Sequence, residues 1–152
     1  LDATEYVGPH DDQKLGFNKV APYYYYPGCW EGGAELGFFV NAKAYNALPA
    51  EYKEMVDVAT RIAARDMTAK YDAFNPVAIK KLVADKTILK AFPKDVMDAG
   101  FKASMEVFAE HEARDPAFKE VHQDMRAFQR DQLLWERFSE LRYNQYMTGV
   151  KL

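Results

Sequence analysis

One glutamate, Glu31, stands in an unusually aromatic stretch of the sequence. The segment YYYYPGCWEGG, residues 23–33, brings five aromatic rings and one carboxylate together, with turn-forming proline and glycine between them. An ionised carboxylate that is removed from water needs a cation, a hydrogen-bond donor or a proton. Hard cations such as Na⁺ and Ca²⁺ take oxygen ligands of this kind. Glu31 is therefore a candidate cation ligand.

The rings around Glu31 allow two interpretations. Aromatic walls lower the local dielectric constant and so strengthen each charge contact. Four consecutive tyrosines are also typical of a β-strand, where alternate side chains point to opposite faces, so at least two of these rings are expected to be structural. Gly28, Gly32 and Gly33 allow the backbone to bend and approach closely. We interpret Glu31 as functional and part of the tyrosine run as structural.

The other chemically reactive side chains fit structural roles better. His111 and His122 lack the glutamate three residues earlier that a di-iron bundle needs, so both are predicted to lie at the surface. Asp11 and Asp12 follow a Gly-Pro dipeptide, where turn formation or a helix start is the commoner use of aspartate. Cys29 has no base beside it and is predicted to be a small packed residue.

Composition excludes several classes of protein. The net charge is -3 and the basic residues are scattered, so the chain has no basic patch for nucleic acid or an anionic membrane. No apolar run approaches the roughly 20 residues of a membrane-spanning helix. The single cysteine cannot form an internal disulfide bond. The sequence has no G-x-S-x-G, phosphate-binding glycine loop or H-E-x-x-H motif, so no enzyme is predicted.

Length and hydrophobic content predict one domain with its own core, because 152 residues of which 49% are hydrophobic can bury a sizeable apolar surface. The chain begins at Leu1 and runs directly into sequence that resembles the middle of a protein. We therefore expect a fragment of a longer protein.

Three short strands are predicted, two of them in the first fifty residues. Residues 17–26 and 35–41 are rich in aromatic and β-branched side chains and are separated by proline and glycine. Pro22 lacks an amide donor, so the first strand is expected to lie at an edge or to be interrupted there. Residues 87–92 are a third strand candidate.

Helical periodicity dominates after residue 45. A helix is predicted over residues 50–72, and Asn75-Pro76 predicts a cap and the start of another helix to about residue 85. A third helix is expected over about 94–113. The fold class expected is therefore α+β, mostly helical with two or three short strands.

The C-terminal segment has the longest apolar stripe. Asp115-Pro116 is again a cap followed by proline, and the periodicity predicts one continuous helix from about residue 116 to 147. At 1.5 Å per residue such a helix is about 45 Å long, so it should reach another domain or subunit. The alternative is two shorter helices with a break near residues 129–132, where the stripe is polar.

Two stretches carry a resemblance to a known family. DATEYVGPHDDQKLGFNKVAPYYYYPGCWEGGAELGFFVN and the later LKAFPKDVMDA resemble the C-terminal half of the solute-binding proteins of TRAP transporters, the DctP family. The resemblance is strongest to the branch that binds α-keto and related small carboxylic acids, and it extends over essentially the whole chain. It implies a periplasmic receptor of two α/β lobes that closes on a carboxylate ligand and delivers it to the membrane permease. Such receptors are not enzymes.

The resemblance also implies roles for particular residues. In this branch a Na⁺ or Ca²⁺ ion bridges ligand and protein, and its ligands correspond here to the Glu31 carboxylate and the Tyr6 backbone carbonyl, with Glu5 a weaker candidate. Tyr6, Trp30 and Glu31 are the expected ligand-binding residues. Tyr6 stands where tryptophan is expected, and Cys29 where a second tryptophan is usual, which changes the space for the acid.

For the chain as a whole, the resemblance implies the C-terminal portion of the receptor. Its expected parts are a strand-rich ligand-site segment (1–42), a helical lobe (43–114) and a long C-terminal helix (115–148) through which a homodimer forms. The arginine that pairs with the substrate carboxylate belongs to the N-terminal half, so no residue of this chain is given that role.

A second hypothesis assigns the chain to a different class of function. The long C-terminal stripe could be the functional surface of a helical interaction or dimerisation module with no small-molecule ligand. A metal-dependent enzyme using Glu31 with Asp11 and Asp12 is the weakest alternative, because no acid, base or nucleophile accompanies these carboxylates. Metal-dependent binding of a 2-oxo or 2-hydroxy acid distinguishes the receptor from the module.

Overall fold

The computed structural model describes residues 2–151. Its elements in chain order are α1 (Pro9–Leu15), a 3₁₀ turn (Phe17–Lys19), β1 (Tyr23–Tyr26), α2 (Ala42–Asn46), α3 (Ala50–Ala84), β2 (Ile88–Ala91), α4 (Lys94–Arg114), α5 (Pro116–Phe138) and α6 (Glu140–Thr148). The chain divides into two compact units, the first ending at Met97 and the second beginning at Asp98. The mostly helical α+β class is confirmed, with two strands in the described residues.

The two strands of the first unit pair in parallel, with Tyr23 opposite Ile88 and Tyr26 opposite Ala91. Parallel strands need a long crossover, and the segment containing α3 supplies it. The amide of Phe92 donates to the Tyr26 carbonyl at 2.8 Å and extends the ladder by one residue. β1 is shorter than the predicted 17–26 and begins directly after Pro22, as expected from its missing amide donor.

The predicted strand at residues 35–41 is wrong. This segment has no regular secondary structure, and its apolar side chains are exposed, Phe39 to 93%. A strand requires a hydrogen-bonded neighbour, and within residues 2–151 the sheet consists of β1 and β2 alone. The segment has the residue types of a strand but, in the described part of the chain, no partner strand to pair with.

A second correction concerns α3, which is one helix of 35 residues rather than two helices divided at Asn75-Pro76. Its length is ~52 Å at 1.5 Å per residue. Proline inside a helix loses one hydrogen bond, but packing can compensate. The Asn75 side chain does not cap α3; its Oδ1 accepts a hydrogen bond from the His10 amide of α1 at 3.0 Å. The His10 ring also stacks on Phe74, with centroids 4.9 Å apart.

The expected single domain with a sizeable core is not what the chain forms. Among the described residues the buried apolar side chains are Ala78 and Leu82, both on α3. α1 packs against this helix over part of its length, and many of its apolar side chains remain exposed, including Met55, Ile62 and Phe74. No helix in residues 2–151 combines the length and the apolarity needed to cross a membrane.

In the second unit, α4 and α5 form a hairpin around a buried histidine. The Asp115 cap is confirmed, since its Oδ1 accepts from the amides of Ala117 and Phe118 at 2.9 and 3.1 Å. The surface position predicted for His122 is wrong, because its ring is 8% exposed and its Nδ1 lies 2.6 Å from the Glu112 Oε1. The hairpin brings aromatic rings over the imidazole, and these come from Phe108 and Phe118.

The C-terminal helix is interrupted at Ser139, so the prediction of one continuous helix is wrong. Ser139 has φ -107° and ψ -119°, outside the helical region, and separates α5 from α6. Its hydroxyl donates to the Trp135 carbonyl at 3.1 Å, a back-bond that bends helices, and is therefore not used to cap α6. The alternative break near residues 129–132 is not observed either, because α5 is continuous there.

Candidate functional site

Three residues predicted at the site line one cavity of the first unit. Glu5, Tyr6 and Glu31 are joined there by Glu35, with a volume of about 170 Å³. The remaining lining is apolar and comes from Val7, Ala34 and Leu36. Two segments distant in sequence, one before α1 and one after β1, therefore meet at this cavity.

The charges of this cavity are all of one sign. Its lining contains three glutamates and no lysine, arginine or histidine. Glu31 forms no hydrogen bond or ion pair within residues 2–151, so its carboxylate is available to a ligand. Carboxylates held near each other repel, and a cation between them relieves the repulsion.

Glu35 also lines this cavity and was not among the residues predicted for the site. It lies four residues after Glu31 in the same irregular segment, and its side chain lines the same cavity. Its position within a predicted strand concealed it. A second carboxylate so close in sequence to Glu31 was the available signal.

The backbone at Gly28 sets the path of the Glu31 loop. A Cβ atom at this position would lie 3.2 Å from the Glu31 carbonyl oxygen and 3.2 Å from the Trp30 ring, closer than ordinary van der Waals contact. Glycine at 28 therefore permits a close approach. At Gly32 and Gly33 a Cβ atom would meet nothing within 4 Å, so the predicted close approach does not extend to them.

Trp30 lies apart from the cavity that contains Glu31. Its ring contacts Phe92 edge to face, with centroids 6.0 Å apart, and Tyr25 contacts the same phenylalanine at 5.0 Å. Phe92 itself is fixed by its backbone bond to β1. The structure thus brings Glu5, Tyr6 and Glu31 together and places the Trp30 ring on an aromatic cluster at the end of the sheet.

Tyr6 is positioned by the helix that follows it. Its ring contacts Phe17 edge to face at 6.0 Å, and α1 begins three residues later. Gly8 stands at the cap position of α1 and has no side chain, so the helix start obtains a hydrogen-bond acceptor from Asn75 of α3 instead. Asn75, which was predicted to cap a helix starting at Pro76, therefore caps α1 instead.

The adjacent aspartates of α1 accept hydrogen bonds from two tyrosines. Tyr24 of β1 donates to Asp12 at 2.6 Å, and Tyr71 of α3 donates to Asp11 at 2.7 Å. Both aspartates lie in the first turn of α1, as the helix-start prediction required. The predicted turn-or-helix role is confirmed, and the structure adds that the same side chains connect α1 to β1 and to α3.

Burial changes the proton affinity of this pair. Removal from water raises the pKa of Asp12 above its usual 3.8, although the hydrogen bond from Tyr24 acts in the opposite direction. Burial, and then the bond to Asp12, raise the pKa of Tyr24 far above its usual value. The hydrogen bond to Asp11 is the first cause of a raised pKa at Tyr71. The two tyrosine shifts hold Tyr24 and Tyr71 in their protonated, donating form, whereas the shift at Asp12 favours a protonated carboxyl.

A larger groove of about 490 Å³ lies between α1 and α3. Its polar lining includes His10, Asp11 and Lys14, together with the Asp66 and Lys70 ion pair of α3, whose atoms lie 2.6 Å apart. Both charge signs are present, in contrast to the Glu31 cavity.

The oxygen donors of the Glu31 cavity suit a hard cation. Carboxylates and a backbone carbonyl are the ligands that Na⁺ and Ca²⁺ prefer. Within residues 2–151, however, no group of three His, Cys, Asp or Glu side chains is arranged to hold a metal ion by itself. Donors from elsewhere, including the backbone and a bound acid, are needed to complete a coordination sphere.

Residues 1–115 match the model of one protein family, DctP, which is described as bacterial extracellular solute-binding protein, family 7. The chain belongs to this family. It is a family of binding proteins rather than of enzymes, and the resemblance inferred from the sequence motifs is confirmed.

A curated relative supports the family assignment along nearly the whole chain. It is described as a monocarboxylate 2-oxoacid-binding periplasmic protein of Nostoc sp. (strain PCC 7120) and is 43% identical over 149 residues. The match covers 98% of this chain and 41% of the relative. The chain therefore spans about two fifths of the length of this DctP relative.

Two solved structures of TRAP transporter solute-binding proteins have the same fold over this region. One, from Bordetella bronchiseptica RB50, is a mixed-occupancy dimer with copurified calcium and picolinate in one active site and the other site apo; it is 42% identical, with a TM-score of 0.89. The other, from Pseudoalteromonas atlantica T6c, contains sodium and pyruvate and is 34% identical, with a TM-score of 0.85. The matches cover 95% and 97% of this chain, and 43% and 44% of those chains.

Proposed function

We propose that this chain is the C-terminal part of a periplasmic TRAP receptor that binds a small 2-oxo or 2-hydroxy carboxylic acid through a Na⁺ or Ca²⁺ ion and delivers it to the membrane permease. One observation carries the proposal: Glu5, Tyr6 and Glu31, selected from the sequence as metal-site residues, line one cavity without a cationic side chain. The relatives support the ligand class, because they contain picolinate with calcium and pyruvate with sodium.

In this proposal the ion takes the Glu31 carboxylate and the Tyr6 backbone carbonyl as ligands, with Glu5 as a weaker candidate. Glu35 adds negative charge at the same cavity. The bound cation supplies positive charge against which a ligand carboxylate is held. The protein's own contribution is to hold oxygen atoms of two segments at one place.

Tyr6 and Trp30 are the proposed contacts to the carbon skeleton of the acid. Both rings are half exposed in this chain and so are accessible to a ligand. Trp30 lies on the Phe92 cluster, outside the cavity of Glu31, so it forms a wall at a distance rather than a part of the metal site. Tyrosine at position 6, where the family usually has tryptophan, leaves more space for the acid.

We also propose that the receptor is a homodimer formed through the C-terminal helices. Trp135 and Phe138 of α5 are 63% and 78% exposed, an unfavourable state for large apolar side chains. The Bordetella relative is a dimer. The proposed division into a ligand-site segment (1–42), a helical lobe (43–114) and a C-terminal helix region (115–148) assigns binding and assembly to different parts of the chain.

Calorimetry of the complete protein tests the receptor function. Pyruvate, lactate and picolinate are titrated with Na⁺, with Ca²⁺ and after chelation, and we expect saturable binding that depends on the metal. Binding of none of these acids, together with an intact dimer in sedimentation, contradicts the receptor and favours the dimerisation module. The dimerisation module remains the second candidate because α5 exposes several large apolar side chains. These are Val121, Met125, Phe128, Trp135 and Phe138.

A further inference from the structure

We infer that Asp12 and Tyr24 form a positioning pair that holds the two ligand segments of the metal site at a fixed separation. The inference rests on the proposed function, because it assigns a role to residues that do not touch the site. The Tyr24 hydroxyl donates to the Asp12 Oδ2 at 2.6 Å and thereby joins β1 to α1.

The pair connects the two segments that the proposed site requires. α1 begins three residues after Tyr6, and β1 ends five residues before Glu31. A displacement of α1 relative to β1 therefore changes the distance between the Tyr6 carbonyl and the Glu31 carboxylate. Metal affinity falls steeply when oxygen donors are misplaced by fractions of an ångström.

Other contacts near α1 do not make the same connection. The residues between α1 and β1 are held by local backbone bonds, such as Lys19 to Gly16 and Ala21 to Phe17. The Tyr71 hydroxyl bonds Asp11 and so fixes α1 to α3 instead. Among the hydrogen bonds described for residues 2–151, the Tyr24 to Asp12 bond is the one that directly joins α1 to β1.

Burial makes this bond costly to lose. Asp12 is 7% exposed, and its second oxygen, Oδ1, is buried without a hydrogen-bond partner in the described structure. Without the Tyr24 hydroxyl the carboxylate has no donor left at either oxygen, so it must take up a proton or move toward water. That movement displaces the first turn of α1, and with it the Tyr6 segment.

The test compares Tyr24→Phe with the parent in the complete protein. Ca²⁺ is titrated alone, and pyruvate is titrated at low and at saturating Ca²⁺ or Na⁺, at a temperature where circular dichroism shows each variant fully folded. We expect Tyr24→Phe to raise the Kd for the metal about three- to tenfold. Saturating metal should recover most of the pyruvate affinity, which a defect in the acid contacts themselves would not allow.

Two further substitutions separate positioning from general stability. Asp12→Asn keeps an acceptor oxygen for Tyr24 and should bind metal within about twofold of the parent, whereas Asp12→Ala should match Tyr24→Phe. The Asp12→Ala/Tyr24→Phe double variant should be no weaker than either single variant, because both remove the same bond. Tyr52→Phe, the same change at an exposed position of α3, serves as the control and should bind as the parent does.

The outcomes distinguish this inference from the proposed function. Parent-like metal affinity in Tyr24→Phe, with metal-dependent pyruvate binding intact in the parent, overturns the positioning pair and leaves the receptor standing. Additive losses in the double variant also overturn it. Absence of metal-dependent binding in the parent itself removes the proposed function and the inference together.

Discussion

Within residues 2–151, each unit has a buried polar side chain that bonds a polar partner, and the two bonds join different kinds of elements. In the first unit Asp12 accepts a hydrogen bond from Tyr24 and joins a helix to a strand, each adjoining a segment of the proposed metal site. In the second unit His122 meets Glu112 across a turn between consecutive helices, ten residues apart. Similar burial therefore joins two separate elements next to the proposed site in the first unit and stabilises a local helix hairpin in the second.

The largest expected effect is on dimer formation, and it tests whether assembly through the second unit is independent of ligand binding. Trp135→Ala with Phe138→Ala removes two exposed rings from the proposed dimer contact, and burying two such rings contributes about 3 to 6 kcal/mol to association. Sedimentation should show a monomer, and calorimetry should show metal-dependent acid binding by that monomer. A dimer of unchanged affinity contradicts the assigned contact.

A smaller effect is expected from the polar pair of the second unit. His122→Ala opens a cavity beside Phe108 and Phe118 and leaves the Glu112 carboxylate without its partner, so the free energy of unfolding should fall by about 2 to 4 kcal/mol. Urea unfolding measures the change, with the less buried His111→Ala as the control. Metal affinity at a temperature where the variant is folded should stay that of the parent. A loss of metal affinity would show that the His122 pair also affects the proposed site.

The proposed metal ligand itself has an intermediate effect. Glu31→Gln keeps the shape of the side chain but removes one negative charge, a contact worth about 1.5 to 3 kcal/mol, so acid affinity should fall roughly ten- to a hundredfold. Tyr6→Phe should change metal binding far less, because the proposed ligand atom of Tyr6 is its backbone carbonyl oxygen. Ligand titration at fixed metal concentration checks both variants. Parent-like, metal-dependent binding by Glu31→Gln would make this residue structural.

The smallest effect is a pH dependence that sharpens the role of Asp12. Its raised pKa means that the folded state binds a proton more readily than the unfolded chain, whose value is 3.8. Asp12 therefore contributes stability that is full below pH 3.8 and is lost as the pH rises through the raised folded value. Urea unfolding of the parent and Asp12→Asn should show the variant gaining relative stability from pH 4 to pH 7. If the stability difference between the parent and Asp12→Asn is the same at every pH, burial does not raise the pKa of Asp12.

Local signals predicted the elements whose ends are encoded nearby. The Asp115 cap, the strand before Pro93 and helix α4 follow from residues within a few positions of each boundary. Asn75-Pro76 carried the same signal and misled, because the Asn75 side chain bonds a helix 65 residues earlier in the sequence. Contacts between distant segments decide such cases, and periodicity does not report them.

For the proposed site, the sequence suggested residues but gave little information on their arrangement. Motif resemblance suggested Glu5, Tyr6, Trp30 and Glu31. Glu5, Tyr6 and Glu31 line one cavity, and the Trp30 ring packs on Phe92. Glu35 was hidden by its place in an apolar run. The buried position of His122 depended on two rings brought over it by a helix hairpin, which a single sequence does not display.

The contact between Trp30 and Phe92 gives the chain an optical reporter. The sequence has two tryptophans, Trp30 in the first unit and Trp135 in the second, so Trp135→Phe leaves a single indole in this chain. Indole emission depends on the polarity and the neighbours of the ring, and here the neighbour is a phenylalanine at the end of β2 and the next residue along is Glu31. A shift in emission wavelength on adding metal, and a second on adding acid, would follow the two binding steps separately in solution.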